Sequence, residues 1–170
     1  MSDEKVSVTR HDPVTGQKLS IEFEEIAALT HDDAIALLAY WQERRAAGSF
    51  AMLREVPSKA IARFMKHLVV LEPLPDRSDF KYRIAGMILR ERLGRDVTGM
   101  TISDVFDAEP ARGLISATQK VIDTDAPVFQ RLHVRGMFAE VRRPELVQLP
   151  VRSIDGTEIW VLVGVFYHPD

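Results

Sequence analysis

The strongest constraint on the fold lies near the C-terminus, where two strand patterns flank a turn signal. Residues 145–153 read ELVQLPVRS and residues 159–168 read IWVLVGVFYH, with Asp155 and Gly156 between them. Aspartate followed by glycine predicts a two-residue hairpin. The last segment is apolar at nearly every position, which predicts a central strand covered on both faces. A chain that ends this way is expected to contain an antiparallel sheet.

The preceding segments predict further strands and one long helix. Residues 80–89 (FKYRIAGMIL) and 127–134 (PVFQRLHV) have strand character. Residues 110–123 place apolar side chains at helical spacing, and Pro110 suits the first turn of a helix. From residue 79 the order is strand, short helical turns, long helix and three strands, which predicts an α+β core over residues 79–170.

Residues 31–78 predict a helical segment before this core. One helix is expected over residues 32–47, and a second is expected to begin near Pro57 and end before Pro73. The THDD motif at residues 30–33 has the side chains of a metal site, but it also suits a helix start, because aspartates offset the helix dipole. We favour the helix start, with Thr30 as its N-cap. Residues 1–30 are an N-terminal extension, which we expect to form either a hairpin or a flexible tail.

Composition removes several classes of function. The chain of 170 residues has no cysteine, so disulfides, thiolate nucleophiles and zinc ribbons are absent. The net charge is −3 and the basic residues are scattered, which argues against nucleic-acid binding. Neither a signal peptide nor an apolar run long enough for a bilayer is visible, so a cytoplasmic location without membrane association is expected.

Three glycines punctuate residues 82–100, at Gly86, Gly94 and Gly99. Where a sheet gives way to tight helical turns, the backbone needs positive φ or close approach, and glycine accepts both. Asp96 is expected to tie its own turn through side-chain to backbone bonds, and Thr101 is expected to cap the turn that follows.

The order of the elements, together with several short motifs, resembles the PAS domain, and more narrowly the single-domain PAS-like proteins common in alphaproteobacteria. The motifs are a helix carrying Trp41 and Arg44 or Arg45, a YR–x–x–G strand (Tyr82, Arg83, Gly86), a G–x–D–x–TG crossing (Gly94, Asp96, Thr98, Gly99), an E–L–V–x–LP strand (Glu145 to Pro150), and a DG turn before a glycine-containing last strand (Gly164). The resemblance covers roughly residues 35–168.

The resemblance implies a five-stranded antiparallel sheet with helices on one face, preceded by the N-terminal helical segment. It also implies a ligand cavity between the sheet and helix 110–123. From strand and helix parity we expect this cavity to be lined by Tyr82, Met100, Ile115, Thr118, Ile122, Leu132 and Leu149.

The cofactor stays open. A covalent flavin adduct is excluded because it needs a cysteine. Haem in PAS sensors usually binds a histidine of the long helix, and no histidine lies between His67 and His133, so haem is not favoured. Non-covalent flavin or a small metabolite remains compatible with the sequence.

The resemblance implies a non-enzymatic sensory or regulatory module that binds a small molecule, a partner protein or both, and signals by conformational change or dimerisation. Helix 32–47 is expected to pack over the outer sheet face or against a second subunit, which predicts a homodimer or a signalling partner. The expected interface residues are Leu37, Leu38, Trp41, Trp160 and Phe166. The alternatives are a ligand-free interaction module and a small conical α+β enzyme of the ketosteroid-isomerase kind.

Overall fold

The computed structural model describes residues 20–135 and 143–168. The strands are β1 (Ser20–Ile26), β2 (Leu68–Pro73), β3 (Phe80–Ala85), β4 (Val128–Arg135), β5 (Glu145–Arg152) and β6 (Ile159–Phe166). The helices are α1 (Asp32–Ala46), α2 (Met87–Leu93), α3 (Ile102–Val105) and α4 (Ala108–Thr124), with a 3₁₀ helix over Ala62–His67. The predicted α+β class with an antiparallel sheet is confirmed.

The sheet has six strands in the order β1-β4-β5-β6-β2-β3, all antiparallel. The sequence predicted five, and the sixth is β1, which pairs with β4 along its whole length. β1 comes from the segment expected to be a hairpin or tail, and residues 1–19 of that segment lie outside the described part. β6 is flanked by β5 and β2 and is apolar toward both faces, as predicted.

Two apolar layers pack against the sheet, one on each face. The inner layer lies between the sheet and helices α2 to α4, and the outer layer lies between the sheet and α1. α1 buries Ala34, Leu37 and Trp41, and the indole of Trp41 donates to the carbonyl oxygen of Pro150 at 2.9 Å. Gly164 allows this close packing, because a Cβ there would lie 2.7 Å from Leu37 Cδ2. α1 therefore packs over the outer sheet face, one of the two positions expected for it.

The prediction of a second helix between Pro57 and Pro73 is wrong for most of its length. Residues 62–67 form only a short 3₁₀ helix, and residues 68–73 form β2. Apolar residues at 61, 64, 65 and 68 have helical spacing, but the run LVVLEP contains two adjacent valines and is buried over its first four residues. Pairing with both β3 and β6 decides that this run is a strand.

The turn between β5 and β6 is longer than the predicted two residues, since residues 153–158 separate the strands. The Ser153 amide donates to Glu158 O at 2.9 Å, and Gly156 takes a φ of 76°. The amide and hydroxyl of Thr157 and the hydroxyl of Ser153 donate to the Asp155 carboxylate, and these bonds lower its pKa to about 2. Asp155 and Gly156 do mark the turn, but this side-chain network extends it.

The glycine-punctuated crossing is built as predicted. Gly94 and Gly99 have φ values of 74° and 87°. The Thr98 amide donates to the Asp96 carboxylate at 3.0 Å, and Thr101 forms a capping box with Asp104 at the start of α3. Gly86 has an ordinary φ of −66°, and glycine is needed there for space, because backbone carbonyls occupy the place of a Cβ.

Within residues 20–135 and 143–168, no helix is long and apolar enough to cross a membrane.

Candidate functional site

The inner layer is organised by α4, which lies across the sheet and places small and apolar side chains against it. Its buried residues are Ala111, Leu114, Ala117, Thr118 and Val121. They recur at helical spacing, so one stripe of the helix faces the sheet. Thr118 is the polar member of this stripe and is fully buried. A buried hydroxyl must find a partner, and this one finds it on the sheet.

A line of three buried polar side chains, here called the polar chain, crosses the inner layer from α4 to β4. Thr118 Oγ1 lies 2.8 Å from Gln148 Oε1 on β5, and Gln148 Nε2 donates to Gln130 Oε1 on β4 at 2.7 Å. The three residues are 0%, 0% and 2% exposed, in the order Thr118, Gln148, Gln130. Neutral amides and a hydroxyl therefore link three elements of the fold beneath α4.

The polar chain has two arrangements of its hydrogens. Thr118 Oγ1 lies 2.8 Å from both Gln148 Oε1 and the carbonyl oxygen of Leu114. A hydroxyl has one proton, so it donates to one of these oxygens at a time. If it donates to Leu114 O, the Gln148 amide must turn over to donate to Thr118, and Gln130 must turn in response. The chain is thus reversible by amide rotation.

Tyr82 adds a second hydroxyl to the inner layer. It is 3% exposed and packs within the same apolar cluster as α4. Burial, and then the nearby Asp79 carboxylate, raise the pKa of Tyr82 well above its ordinary value. The phenol therefore stays neutral, and like the polar chain it offers hydrogen bonds without charge.

Most of the predicted pocket residues lie together in the inner layer. Tyr82 belongs to its buried cluster, and Thr118 lies in the polar chain. Met100, Ile115, Ile122 and Leu132 are partly buried and pack against the same cluster. Leu149 is the exception: it is fully buried in the outer layer, on the opposite face of the sheet.

Gln148 and Gln130, the two sheet members of the polar chain, were not among the predicted pocket residues. Strand side chains alternate between the two faces of a sheet. The prediction that Leu149 faces the pocket therefore placed its neighbour Gln148 on the opposite face. The available signal was Gln148 itself, a polar residue within the apolar run ELVQLPV. Glutamine inside such a run predicts a specific buried partner.

Four of the five predicted interface residues lie in the core of the protomer. Leu37, Trp41, Trp160 and Phe166 are all buried in the outer layer, between α1 and the sheet. Leu38 is partly buried against the same cluster. Pairing of two subunits through these side chains stays a prediction, and it would require α1 to leave its own sheet.

A second polar cluster anchors the start of α1 to one end of the sheet. The Glu145 side chain is fully buried and accepts hydrogen bonds from the Thr30 amide and hydroxyl and from the His31 amide. Burial alone would raise the pKa of Glu145, but these bonds outweigh it and lower the pKa. His31, not the predicted Thr30, is the N-cap of α1, and Thr30 binds Glu145 instead. The THDD motif is a helix start, as favoured.

Histidines contact Phe166 beside this anchor. The His67 ring lies 4.8 Å from the Phe166 ring, and its Nδ1 is 3.0 Å from Val165 O. The His31 ring lies 5.4 Å from Phe166, and its Nε2 is 2.9 Å from Tyr167 O. Burial lowers the pKa of His67, against the opposing effect of its hydrogen bond to Val165. Folding therefore favours the neutral form of His67.

This shift makes stability depend on pH. The unfolded value is 6.5 and the folded value lies below it. The contribution of His67 is thus complete above pH 6.5 and is lost as the pH falls toward the folded pKa. We expect the free energy of unfolding of the wild type to fall more between pH 7.5 and pH 5.5 than that of His67→Gln. Urea unfolding at both pH values measures this, and equal losses in the two proteins would contradict it.

Among the residues described, no three histidine, aspartate or glutamate side chains are grouped to hold a metal ion.

The fold and the inner layer define a class of protein: a small α+β domain whose antiparallel sheet carries a helix-covered layer with uncharged polar groups inside it. A protein-family model described as a PAS domain matches residues 29–166, and the chain therefore belongs to the PAS domain family. Comparison with curated proteins and with solved structures gives no significant match. Membership supports a sensory or regulatory module in general, in a family that is generally non-enzymatic.

Proposed function

We propose that this protein is a non-enzymatic, cytoplasmic sensory module that binds a small uncharged amphipathic molecule between α4 and the sheet. The polar chain carries this proposal, because it places reversible donors and acceptors inside an apolar layer. A ligand with one hydroxyl, carbonyl or amide group could exchange a hydrogen bond with Gln148 or Thr118. A charged ligand would lose its hydration there without a counter-ion, which is costly.

The reversible chain also supplies a route for the signal. A ligand that presents a donor favours one orientation of the Gln148 amide, and a ligand that presents an acceptor favours the other. Each orientation changes how α4 is bound to β5 and β4. A ligand shifts such an equilibrium only by its different affinity for the two states, and this hydrogen-bond difference provides one. The output then passes to a second subunit or a partner protein.

The proposal is tested by native mass spectrometry of the freshly purified protein against its denatured mass. We expect an added mass that is lost on denaturation, and we expect Gln148→Met to reduce its occupancy at least about tenfold, by removing a buried hydrogen bond. Gln119→Met is the matched control, because Gln119 lies on α4 next to Thr118 but donates to Arg77 O at the surface. Gln119→Met should keep the added mass.

An added mass that is equally occupied in Gln148→Met would place the ligand elsewhere and contradict the proposal. Because Gln148→Met leaves the Gln130 amide without its partner, the double variant with Gln130→Met is measured beside it. The double variant removes both amides and leaves neither unpaired.

A ligand-free interaction module is the second candidate, and the completeness of the polar chain favours it. Thr118, Gln148 and Gln130 bond to one another within a layer of buried apolar side chains. A core that is satisfied in this way needs no ligand. A native mass equal to that of two protein chains, with no added mass, would favour this candidate over the first.

The buried charged residues give less support to the alternative of an isomerase-like enzyme. Such an enzyme needs a carboxylate or histidine isolated in an apolar pocket with a raised pKa. The fully buried carboxylate of Glu145 is hydrogen-bonded, and its pKa is lowered. We therefore do not assign it a catalytic role.

A further inference from the structure

A surface cavity separate from the inner layer lies between the C-terminal half of α1 and the chain that follows it. Its volume is about 380 Å³. Its lining includes Tyr40, Arg44, Ala47, Arg54, Glu55 and Ser58. Pockets for small molecules begin at roughly 300 Å³, so the space is large enough for a small metabolite.

Glu55 is the fixed point of this cavity. Its side chain is only 7% exposed, and it accepts hydrogen bonds from the Tyr40 hydroxyl at 2.8 Å and from Arg54 Nε at 3.2 Å. Arg44 Nε lies 3.9 Å from the other side of the same carboxylate. One buried carboxylate therefore holds two guanidinium groups at the cavity.

The cavity carries an excess of positive charge. Arg44 and Arg54 contribute two positive charges and Glu55 contributes one negative charge, while the other lining residues are neutral. The guanidinium groups are well exposed, with 48% and 58% of the side chains of Arg44 and Arg54 accessible, so a ligand can reach them. Arg54 uses Nε for Glu55 and Nη2 for Ser49, which leaves its Nη1 without a hydrogen bond to the described residues.

An unused hydroxyl lies in the same wall. The Oγ of Ser58 is buried and has no hydrogen-bond partner among the described residues. A buried hydroxyl without a partner is uncommon, since most buried polar atoms are bonded. Ser58 lines the cavity, and a turn of its side chain about χ1 would bring this hydroxyl to an oxygen atom of a ligand.

We propose that this cavity binds a small organic anion through a carboxylate or phosphate group held by Arg44, Arg54 and Ser58. Guanidinium groups match the geometry of both oxyanions. Ala47 and Ala60 provide the less polar wall against which the rest of such a molecule packs, while the Tyr40 ring lies against the Arg44 guanidinium at 5.4 Å. This site is independent of the ligand site proposed beneath α4, and either site could be occupied without the other.

The test is a titration of the ¹⁵N-labelled protein followed by amide NMR shifts. Inorganic phosphate and acetate are the two probes, each compared with chloride at the same ionic strength. We expect saturating shifts centred on residues 48–60 with phosphate, acetate or both, and none that saturate with chloride. The probe that saturates at the lower concentration identifies the preferred oxyanion.

Variants locate the binding. Arg44→Gln and Ser58→Ala should each weaken it about tenfold, because each removes a hydrogen bond to a charged group. Arg92→Gln is the matched control, since Arg92 stacks on Tyr167 at 4.3 Å, outside the cavity, and binding should be unchanged. Ser58→Ala removes an unpartnered hydroxyl and is expected to fold normally.

Shifts that rise linearly without saturation, or binding that is equal in the wild type and Ser58→Ala, would overturn the proposal. Neither result would affect the ligand proposed under α4, because the Gln148 variants test that site separately.

Discussion

Gly86→Ala is expected to lower the free energy of unfolding by about 3 kcal/mol, the upper part of the range for overpacking. A Cβ at Gly86 would lie 2.6 Å from the carbonyl oxygen of Lys66 and 2.8 Å from those of Met65 and Leu68. These are backbone atoms, so rotation of a side chain cannot relieve the contacts. The Gly86 amide also donates to Leu68 O at 2.8 Å, which holds the two segments together.

Thermal unfolding measures this effect. At this chain length, 3 kcal/mol corresponds to a fall in Tm of roughly 6–12 °C. Gly113→Ala is the matched control, because the same methyl group on α4 would meet only Phe23 Cβ, at 4.0 Å, among the residues that the structure describes. Alanine is favoured over glycine within a helix, so this control should gain about 0.5–1 kcal/mol. Equal effects of the two substitutions would show that the carbonyls around Gly86 are not rigid.

Glu145→Gln is expected to cost about 3 kcal/mol, as breaking one side of a buried charged cluster does. The Glu145 carboxylate accepts from the Thr30 amide at 2.9 Å and from the His31 amide at 2.8 Å, beside the Thr30 hydroxyl. Glutamine has one acceptor oxygen, and its NH₂ group would face these donors. Arg131, 3.7 Å from the carboxylate, would also lose this nearby negative charge.

The loss is measured by urea unfolding at pH 7, with Glu25→Gln as the control. Glu25 pairs with Lys120 at the surface, where both side chains are about half exposed, and its loss should cost less than about 0.5 kcal/mol. Because the folded pKa of Glu145 is lowered from 4.5, its contribution is present above that value and is lost as the pH falls below it. The gap between wild type and Glu145→Gln should therefore narrow in acid. A constant gap would contradict the assignment.

Much of the fold could be predicted because the sequence patterns that indicate it are local. The stripe of α4, the turn chemistry of Asp96 and the positive φ of Gly94 and Gly99 each depend on residues within a few positions. The apolar character of β6 on both faces also predicted its central place. Strand β2 was missed because its preceding residues mimic helical spacing, and its pairing with β3 and β6 is long-range.

The candidate site was predicted in part for the same reason. Tyr82 on β3 and Thr118 on α4 were both predicted to face the inner layer, because helix and strand periodicity indicate which residues share a face. Leu149 was put on the wrong face and Gln148 was missed, because a strand apolar on both sides gives no parity signal. The register of β5 against β4 and β6 resolves the ambiguity.

The sequence by itself therefore determined the class of fold, the family resemblance and the residues that turn the chain. Only the tertiary structure decided which polar groups meet, because those contacts join residues far apart in the chain. Glu145 reaches Thr30 across 115 positions, and Gln148 reaches Thr118 across 30. Such pairs leave no local pattern, since each partner satisfies its hydrogen bonds only once the strands and helices have packed together.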